Sequence, residues 1–262
     1  IFALLPILIM LGLTIFDCEG IDFSNAKLSL ISFEQFKFSS TLIAFLNSIL
    51  YAFITTIICI VIGYIVAYRI FRSRIKNKFM VITLMILPMW SNILLRINAL
   101  KSVLEEHNIF TSMFEQLGFS NAKSLSLAGT PFAVILGLVV TYLPFMILTI
   151  FTALEKIEPS LEEAALDLGL TETKKFWKVV LPLSIKGIIT GSIMVLLPCM
   201  SGFAIPEILG QGNIVLIGNV IDQLFKNMNY NAGSLLAIVI LVFILGSILL
   251  VFKVDKDGET LI

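Results

Sequence analysis

Apolar residues in this chain fall in long unbroken runs, not in the alternating or every-third-or-fourth spacing of half-buried strands and surface helices. The runs cover about 1–16, 41–68, 79–95, 131–154, 183–205 and 234–252, and more polar, irregular connections separate them. A bilayer core is crossed by roughly 20 mostly apolar residues of helix, because each backbone amide there must be satisfied within its own segment. The pattern predicts an all-α polytopic membrane protein with six transmembrane helices, the first one truncated. Residues 1–16 are also long enough for a signal peptide. They show no basic lead-in and no Ala-x-Ala site, and further spans follow, so they read as the remnant of a first membrane helix. No Pro/Ser/Gly linker, low-complexity stretch or internal repeat divides the chain, so residues 1–262 form a single transmembrane domain.

Composition agrees. Of the 262 residues 58% are hydrophobic and 14% charged, against roughly 25% charged in a soluble domain. The net charge of zero offers no basic field for nucleic acid. Cys18, Cys59 and Cys199 are widely spaced and form neither a metal-ligand pattern nor a disulfide framework, so they read as packed thiols. His107 stands among Glu105, Glu106 and Asn108 as an exposed loop residue with no metal or catalytic partner set around it. A membrane enzyme is disfavoured because the spans offer no His/Asp/Glu cluster and no Ser/His pair. No G-x-x-x-x-G-K-[ST] loop occurs, so the chain does not bind ATP by that route.

Basic residues set the orientation. Arg69, Arg72, Arg74, Lys76 and Lys78 crowd one short loop. With Lys156, Lys174, Lys175, Lys178, Lys186, Lys253 and Lys256 they put twelve cations on one side, against six on the other. The side of 69–78 is therefore expected to be cytoplasmic, with both termini inside.

On that side the connection 155–182 carries more order than a tether needs. Pro159-Ser160-Leu161-Glu162-Glu163 reads as a capping box, with the Ser160 hydroxyl accepting from the Glu163 amide. Gly169 falls where a left-handed C-cap is wanted. Thr171 is placed to cap a second helix through Phe176 and Trp177, which Pro182 ends before the fifth span. The result is a short helical hairpin. From its residues alone it either packs on its own membrane domain or offers small and apolar side chains to another protein.

Glu163-Ala164-Ala165-x3-Gly169-x9-Val179-x-Leu181-Pro182 resembles, in residue type and spacing, the EAA loop of ABC importer permeases. The resemblance implies the type I ABC importer permease fold, and makes this loop a coupling helix that docks in a groove of an ATP-binding subunit. Glu163, Ala164, Ala165 and Gly169 would then lie at the contact, with Leu181 and Pro182 as the joint to the next span. Lys186 departs from the family, where Pro often precedes the position of Gly187. The run from Leu87-Pro88-Met89-Trp90 to Lys101, Leu197-Pro198-Cys199-Met200, Glu207-Ile208-Leu209-Gly210 and the external Asn213–Asn219 are similar to spermidine/putrescine permeases, B-type subunit. Asn98, where relatives tend to have Tyr, and Asp222 depart from that pattern.

The resemblance implies a permease in the bacterial cytoplasmic (inner) membrane that forms half of a polyamine pathway. Its expected partners are a homologous second permease, two ATP-binding subunits, an external substrate-binding protein, membrane lipid and the polyamine. It implies no cofactor on this chain, with ATP and Mg held by the ATPase subunits. For the substrate path, a cationic ligand asks for aromatic faces, amide oxygens and carboxylates. Trp90 and Asn92 beside Pro88, Tyr142 beside Pro144, Leu100 in the outer vestibule and Glu207 near the outer end of the fifth span are the candidates. Each has a plainer reading. Trp90 suits an interfacial belt, Tyr142 and Leu100 packing, Asn92 a hydrogen bond between helices, and Glu207 a pair with Arg96 or an external lysine. Arg96 would repel a polyamine and is assigned to structure or gating, and Asp222 reads as a loop residue.

The connection from Arg96 to Gly129 carries Leu100, Val103, Leu104, Ile109, Phe110 and Met113 at helical spacing, predicting one or two external amphipathic helices. Two rivals to a polyamine permease are an ABC importer permease for another small solute and, from a different class, a secondary transporter or channel. The second would show broken helices or a buried ionisable pair at the midplane, and no docking hairpin.

Overall fold

The computed structural model describes residues 4–17, 27–28, 38–105 and 127–254. Helix α1 (Leu4–Ile15) is followed by a two-residue antiparallel pair, β1 (Phe16–Asp17) with β2 (Lys27–Leu28), in the register Phe16 to Leu28 and Asp17 to Lys27. The other described elements are helical. They are α2 (Phe38–Arg72), α3 (Lys78–Ile86) with its 3-10 extension Leu87–Trp90, α4 (Ile93–Leu104) and α5 (Pro131–Glu155). After them come α6 (Pro159–Asp167), α7 (Glu172–Ser201), α8 (Ala204–Gly210), α9 (Ile217–Lys226) and α10 (Tyr230–Val254).

Among the described residues four helices, lying within α2, α5, α7 and α10, are long and apolar enough to cross a bilayer, and the bent pair α3–α4, counted as one span, gives a fifth. α1 lies where the truncated first span is expected. Its 12 residues reach only about 18 Å of the roughly 30 Å core. His107, Cys18 and the external helix expected through Ile109, Phe110 and Met113 lie outside the described residues.

The third span departs from the expected 79–95 helix. α3 tightens into a 3-10 turn at Leu87–Trp90, stops at Ser91, and resumes as α4 at 90° to its former course. Pro88 starts the break, because it has no N–H to continue the α-helical ladder. Ser91 is extended, and the Asn92 side chain then caps α4 by accepting from Leu94 N at 2.8 Å. The fifth span also runs differently from the expectation. Pro182 does not end a helix, for α7 passes straight through it into the membrane segment. Phe176–Val180 form a π-helical turn in which Leu181 N–H reaches Phe176 O. That wider turn takes up the ring and missing N–H that would disrupt a regular helix.

α2, α5 and α7 pack on one another as the central unit, while α1 and α9 lie on α10. The interior is filled by Ala52, Cys59 and Ala67 of α2, Val134, Leu138, Met146 and Ile150 of α5, and Val195 and Cys199 of α7, all essentially inaccessible. Cys59 and Cys199 are unbonded, buried thiols. In lipid, water cannot drive helices together, so close backbone approach and packing must. α5 and α7 approach at Gly187 and Gly191. A Cβ on Gly187 would stand 2.7 Å from the Thr149 carbonyl oxygen and collide with the Ala153 methyl.

Because those neighbours are backbone and a methyl, Gly187→Val is expected to cost about 1–3 kcal/mol of overpacking, lowering the thermal unfolding midpoint of the detergent-solubilised subunit. Gly191→Ala meets mainly the Met146 sulfur and the Thr149 hydroxyl, which can rotate aside. Its shift should be distinctly smaller in the same measurement.

Candidate functional site

Two regions hold the candidate residues. The first is the hairpin of α6 and the start of α7. The helix begins two residues earlier than a Ser160 cap requires. Pro159, whose φ suits a first turn, occupies N1, and Glu158 stands at the N-cap with no side-chain cap bond. Ser160 therefore lies inside the first turn, and its hydroxyl meets the Glu158 carboxylate at 3.2 Å, so no capping box forms. The far end matches the sequence pattern closely. Gly169 has φ +82°, Gly169 N donates to Leu166 O at 2.8 Å, and Leu170 N to Ala165 O at 3.1 Å. This is a Schellman closure. Thr171 then caps α7, accepting from Lys174 N at 3.4 Å.

Glu163, Ala164, Gly169 and Pro182 are exposed, Leu181 is half-buried, and Ala165 is buried within the subunit. Beside them Leu161, Leu166, Leu168 and Trp177 are exposed, Leu168 at 84%. The hairpin thus presents apolar and small residues, with the Glu163 and Asp167 carboxylates exposed among them.

Its inner side holds residues that the sequence did not single out for this role. Arg72, the last residue of α2, donates from Nη2 to Glu162 Oε2 at 2.6 Å. Lys175 Nζ lies 3.2 Å from the same oxygen and 2.9 Å from Glu172, and Arg72 is 3.7 Å from Glu172. Lys175 is only 2% exposed. The Arg72 guanidinium also lies 5.6 Å from the Tyr68 ring centre, and its Nε donates to the Tyr68 hydroxyl at 3.1 Å. Tyr68 and Tyr64 both pack on Phe176 at the π turn, and the Tyr64 and Ser184 hydroxyls are hydrogen-bonded at 2.9 Å. The adjacent pair Glu162-Glu163 carried a signal. Neighbours on a helix point about 100° apart, so both carboxylates cannot face the same way. Nothing local names Arg72, 90 residues distant.

The second region is the break between α3 and α4. From Lys78 to Trp90 the chain rises about 20 Å, which puts the break at membrane depth. The Pro88 carbonyl there accepts from the Ser91 hydroxyl at 2.6 Å and from Arg96 Nη1 at 3.2 Å. Arg96 Nε is buried with no hydrogen-bond partner among the described residues. Trp90 is 86% exposed, and Asn92 spends its side-chain oxygen on the α4 cap instead of on a neighbouring helix. Leu100 packs against the core, half-buried. Tyr142 is half-buried, within electrostatic range of Arg96 and Cys199.

Glu207 lies apart from this group. It pairs with Lys226 at 2.9 Å, not with Arg96. Lys226 also meets Asp222 at 2.6 Å, and Asp222 belongs to α9, one turn before it, instead of a loop. Hydrogen bonds from Lys226 to Asp222 and to Glu207 raise the lysine pKa above its ordinary value. Glu207, Asn219, Asp222 and Gln223 line a small open cleft of about 50 Å³ there. The structure therefore brings Trp90, Asn92 and Arg96 together, sets Tyr142 near Arg96, and keeps Glu207 separate.

The chain belongs to the family described as binding-protein-dependent transport system inner membrane component, whose model matches residues 59–255. It is 34% identical over 97% of its length to the spermidine/putrescine transport system permease protein PotB of Haemophilus influenzae, spanning 89% of that protein. It is 31% identical over 96% of its length to PotB of Escherichia coli K12, spanning 91% of it. Its fold matches a bacterial ABC transporter involved in import of the acidic polysaccharide alginate, with a TM-score of 0.77, 18% identity, and coverage of 99% of this chain and 91% of that one. The same transporter type bound to its alginate pentasaccharide-loaded periplasmic protein matches at a TM-score of 0.68 and 16% identity, covering 93% and 85% of the two chains. The chain is thus a transmembrane permease subunit of an ABC importer and not the ATPase.

Asn92→Ala should lose the α4 cap and about 0.5–2 kcal/mol of stability, whereas Asn92→Asp, which keeps the acceptor, should unfold near the unaltered protein. Thermal unfolding of the two variants in detergent checks this.

Proposed function

We propose that this permease imports polyamines, forms half of the pathway with a homologous second permease, and takes up the work of two ATP-binding subunits through the hairpin 159–182. The observation that carries the docking role is the hairpin itself. Its exposed face holds Glu163, Ala164, Leu168 and Gly169, and its opposite side is fastened to the membrane helices. Glu163, Ala164, Ala165 and Gly169 keep the spacing of the family's docking loop, with Ala165 serving as the buried seat of α6. The joint made by Leu181 and Pro182 continues directly into a span, so a push on α6 reaches the membrane without a flexible link. The basic loop 69–78 adjoins the hairpin, which favours a cytoplasmic position for both, with the termini on the same side.

The broken span supports a second permease. Non-helical backbone at membrane depth is tolerated only where protein or a water-filled cavity covers it. Here the break carries a Trp90 that is almost fully exposed on the subunit alone. Its indole is an aromatic face of the kind that holds alkylammonium groups. Broken helices also occur in secondary transporters, so the break by itself does not select the class. Polyamine as the substrate rests on the PotB relatives. The fold does not decide it, since it also matches an importer of an acidic polysaccharide. An external binding protein would deliver the substrate. ATP binding would close the ATPase pair and open the outer face, and hydrolysis would reset it, with ATP and Mg held on those partners.

With the complex reconstituted in liposomes, Glu163→Lys or Gly169→Trp should reduce spermidine uptake at least about tenfold while the subunit's membrane level stays the same. Replacing Gly169 places a side chain at φ +82°, which costs about 1–2 kcal/mol locally, and crowds the exposed face. Unchanged uptake rules out the docking role. In the same liposomes, spermidine or putrescine with the binding protein should stimulate ATP hydrolysis, and a neutral solute should not. Stimulation by the neutral solute alone assigns the permease to another substrate.

A further inference from the structure

We infer that Glu162, Arg72, Lys175 and Glu172 form a closed ring of alternating charge that acts as the rigid joint between the docking helix and two membrane helices, with Glu162 as its positioning residue. Each side of the ring is an ion pair within 4 Å. Arg72 to Glu162 is 2.6 Å, Glu162 to Lys175 3.2 Å, Lys175 to Glu172 2.9 Å and Glu172 to Arg72 3.7 Å. The four residues come from three elements, namely the last residue of α2, the first turn of α6 and the first turn of α7. Two acids balance two bases, and the Glu162 and Lys175 side chains are almost wholly withdrawn from solvent.

The geometry divides labour between adjacent carboxylates. Glu163 faces outward and Glu162 inward, so the first is free for a partner chain while the second holds α6 to its own subunit. Below the ring, the contact runs on without a gap through Tyr68, Phe176 and Tyr64 to Ser184. A displacement of α6 therefore reaches α2 and α7 together. A buried charge whose partner is removed is far less tolerable than a balanced pair removed whole. This yields a signature that simple hairpin stability would not. Glu162→Gln leaves Arg72 and Lys175 facing one acid, and Arg72→Gln leaves two acids facing Lys175. The double variant leaves the neutral pair Lys175–Glu172.

This inference rests on the docking reading of 159–182, so the test carries both. The full complex bearing Glu162→Gln, Arg72→Gln or both is reconstituted with the binding protein, and spermidine transported per ATP hydrolysed is measured beside the recovery of ATPase subunits. Glu163→Lys and Gly169→Trp serve as docking controls. Each single ring variant is expected to lower the transport-to-hydrolysis ratio about fivefold with the ATPase still bound, and the double variant to regain most of it. A single Glu162→Gln complex that couples like the unaltered one overturns the ring. A double variant no better than the singles does the same, and it decides the matter even where a single variant fails to assemble. If instead the docking controls leave ATPase recovery and uptake untouched, the docking reading fails, whatever the ring variants do.

Discussion

Inside a bilayer a backbone amide has no water to turn to, and this constraint governs how the described spans depart from regular helix. Where α3 breaks, the loosened groups are taken up locally. The Pro88 carbonyl gathers the Ser91 hydroxyl and the Arg96 guanidinium, and Asn92 supplies the first acceptor of α4. Where Pro182 interrupts α7, the helix widens by one residue into a π turn and continues. Among the described spans, the break after Trp90 and the π turn before Pro182 are the two irregularities that lie beside candidate residues. The first exposes an aromatic side chain at membrane depth, and the second joins the hairpin to a span.

The same constraint explains how the helices hold together. Without a hydrophobic drive between apolar helices, α5 and α7 rely on backbone approach at Gly187 and Gly191, and α2 completes the bundle with small residues at Ala52, Cys59 and Ala67. These three helices form one tightly packed unit. Arg96 sits at the break, and the ion pairs between described elements join them at their ends. One cluster ties α2, α6 and α7 at the hairpin, and another ties α8 to α9 through Lys226 at the opposite end. Rigid membrane helices with ionic joints at their ends are suited to transmitting movement from a partner at one face to a pathway opening at the other.

Much of this was legible in the chain itself. Length and apolarity determine where helices can cross, because spanning depends on a run of side chains and not on their partners. The Gly169 closure, the Thr171 cap and the hairpin between them followed from local rules about termini, which need only a few consecutive residues. The spacing from Glu163 to Pro182 carried the family. Local rules failed where two of them competed. Pro159 took the first-turn position and displaced the Ser160 cap, and at Pro182 a π turn absorbed what reads locally as a helix stop.

What only the tertiary structure decided is which side chains meet. Pro88 and the Asn92 cap mark the break after Trp90 in the sequence, but the 90° angle at which α4 leaves it, lying on α5 and α8, belongs to the tertiary structure. Of the two partners open to Glu207, Arg96 or an external lysine, it took Lys226, a contact between α8 and α9 that periodicity does not locate, and Asp222 proved helical, one turn from the same lysine. The ring around Glu162 is the clearest case. Its members are ordinary charged residues in sequence, separated by up to about a hundred positions. They acquire a role only because α2, α6 and α7 end at one place, where a nearly buried lysine must be matched by carboxylates within hydrogen-bonding reach.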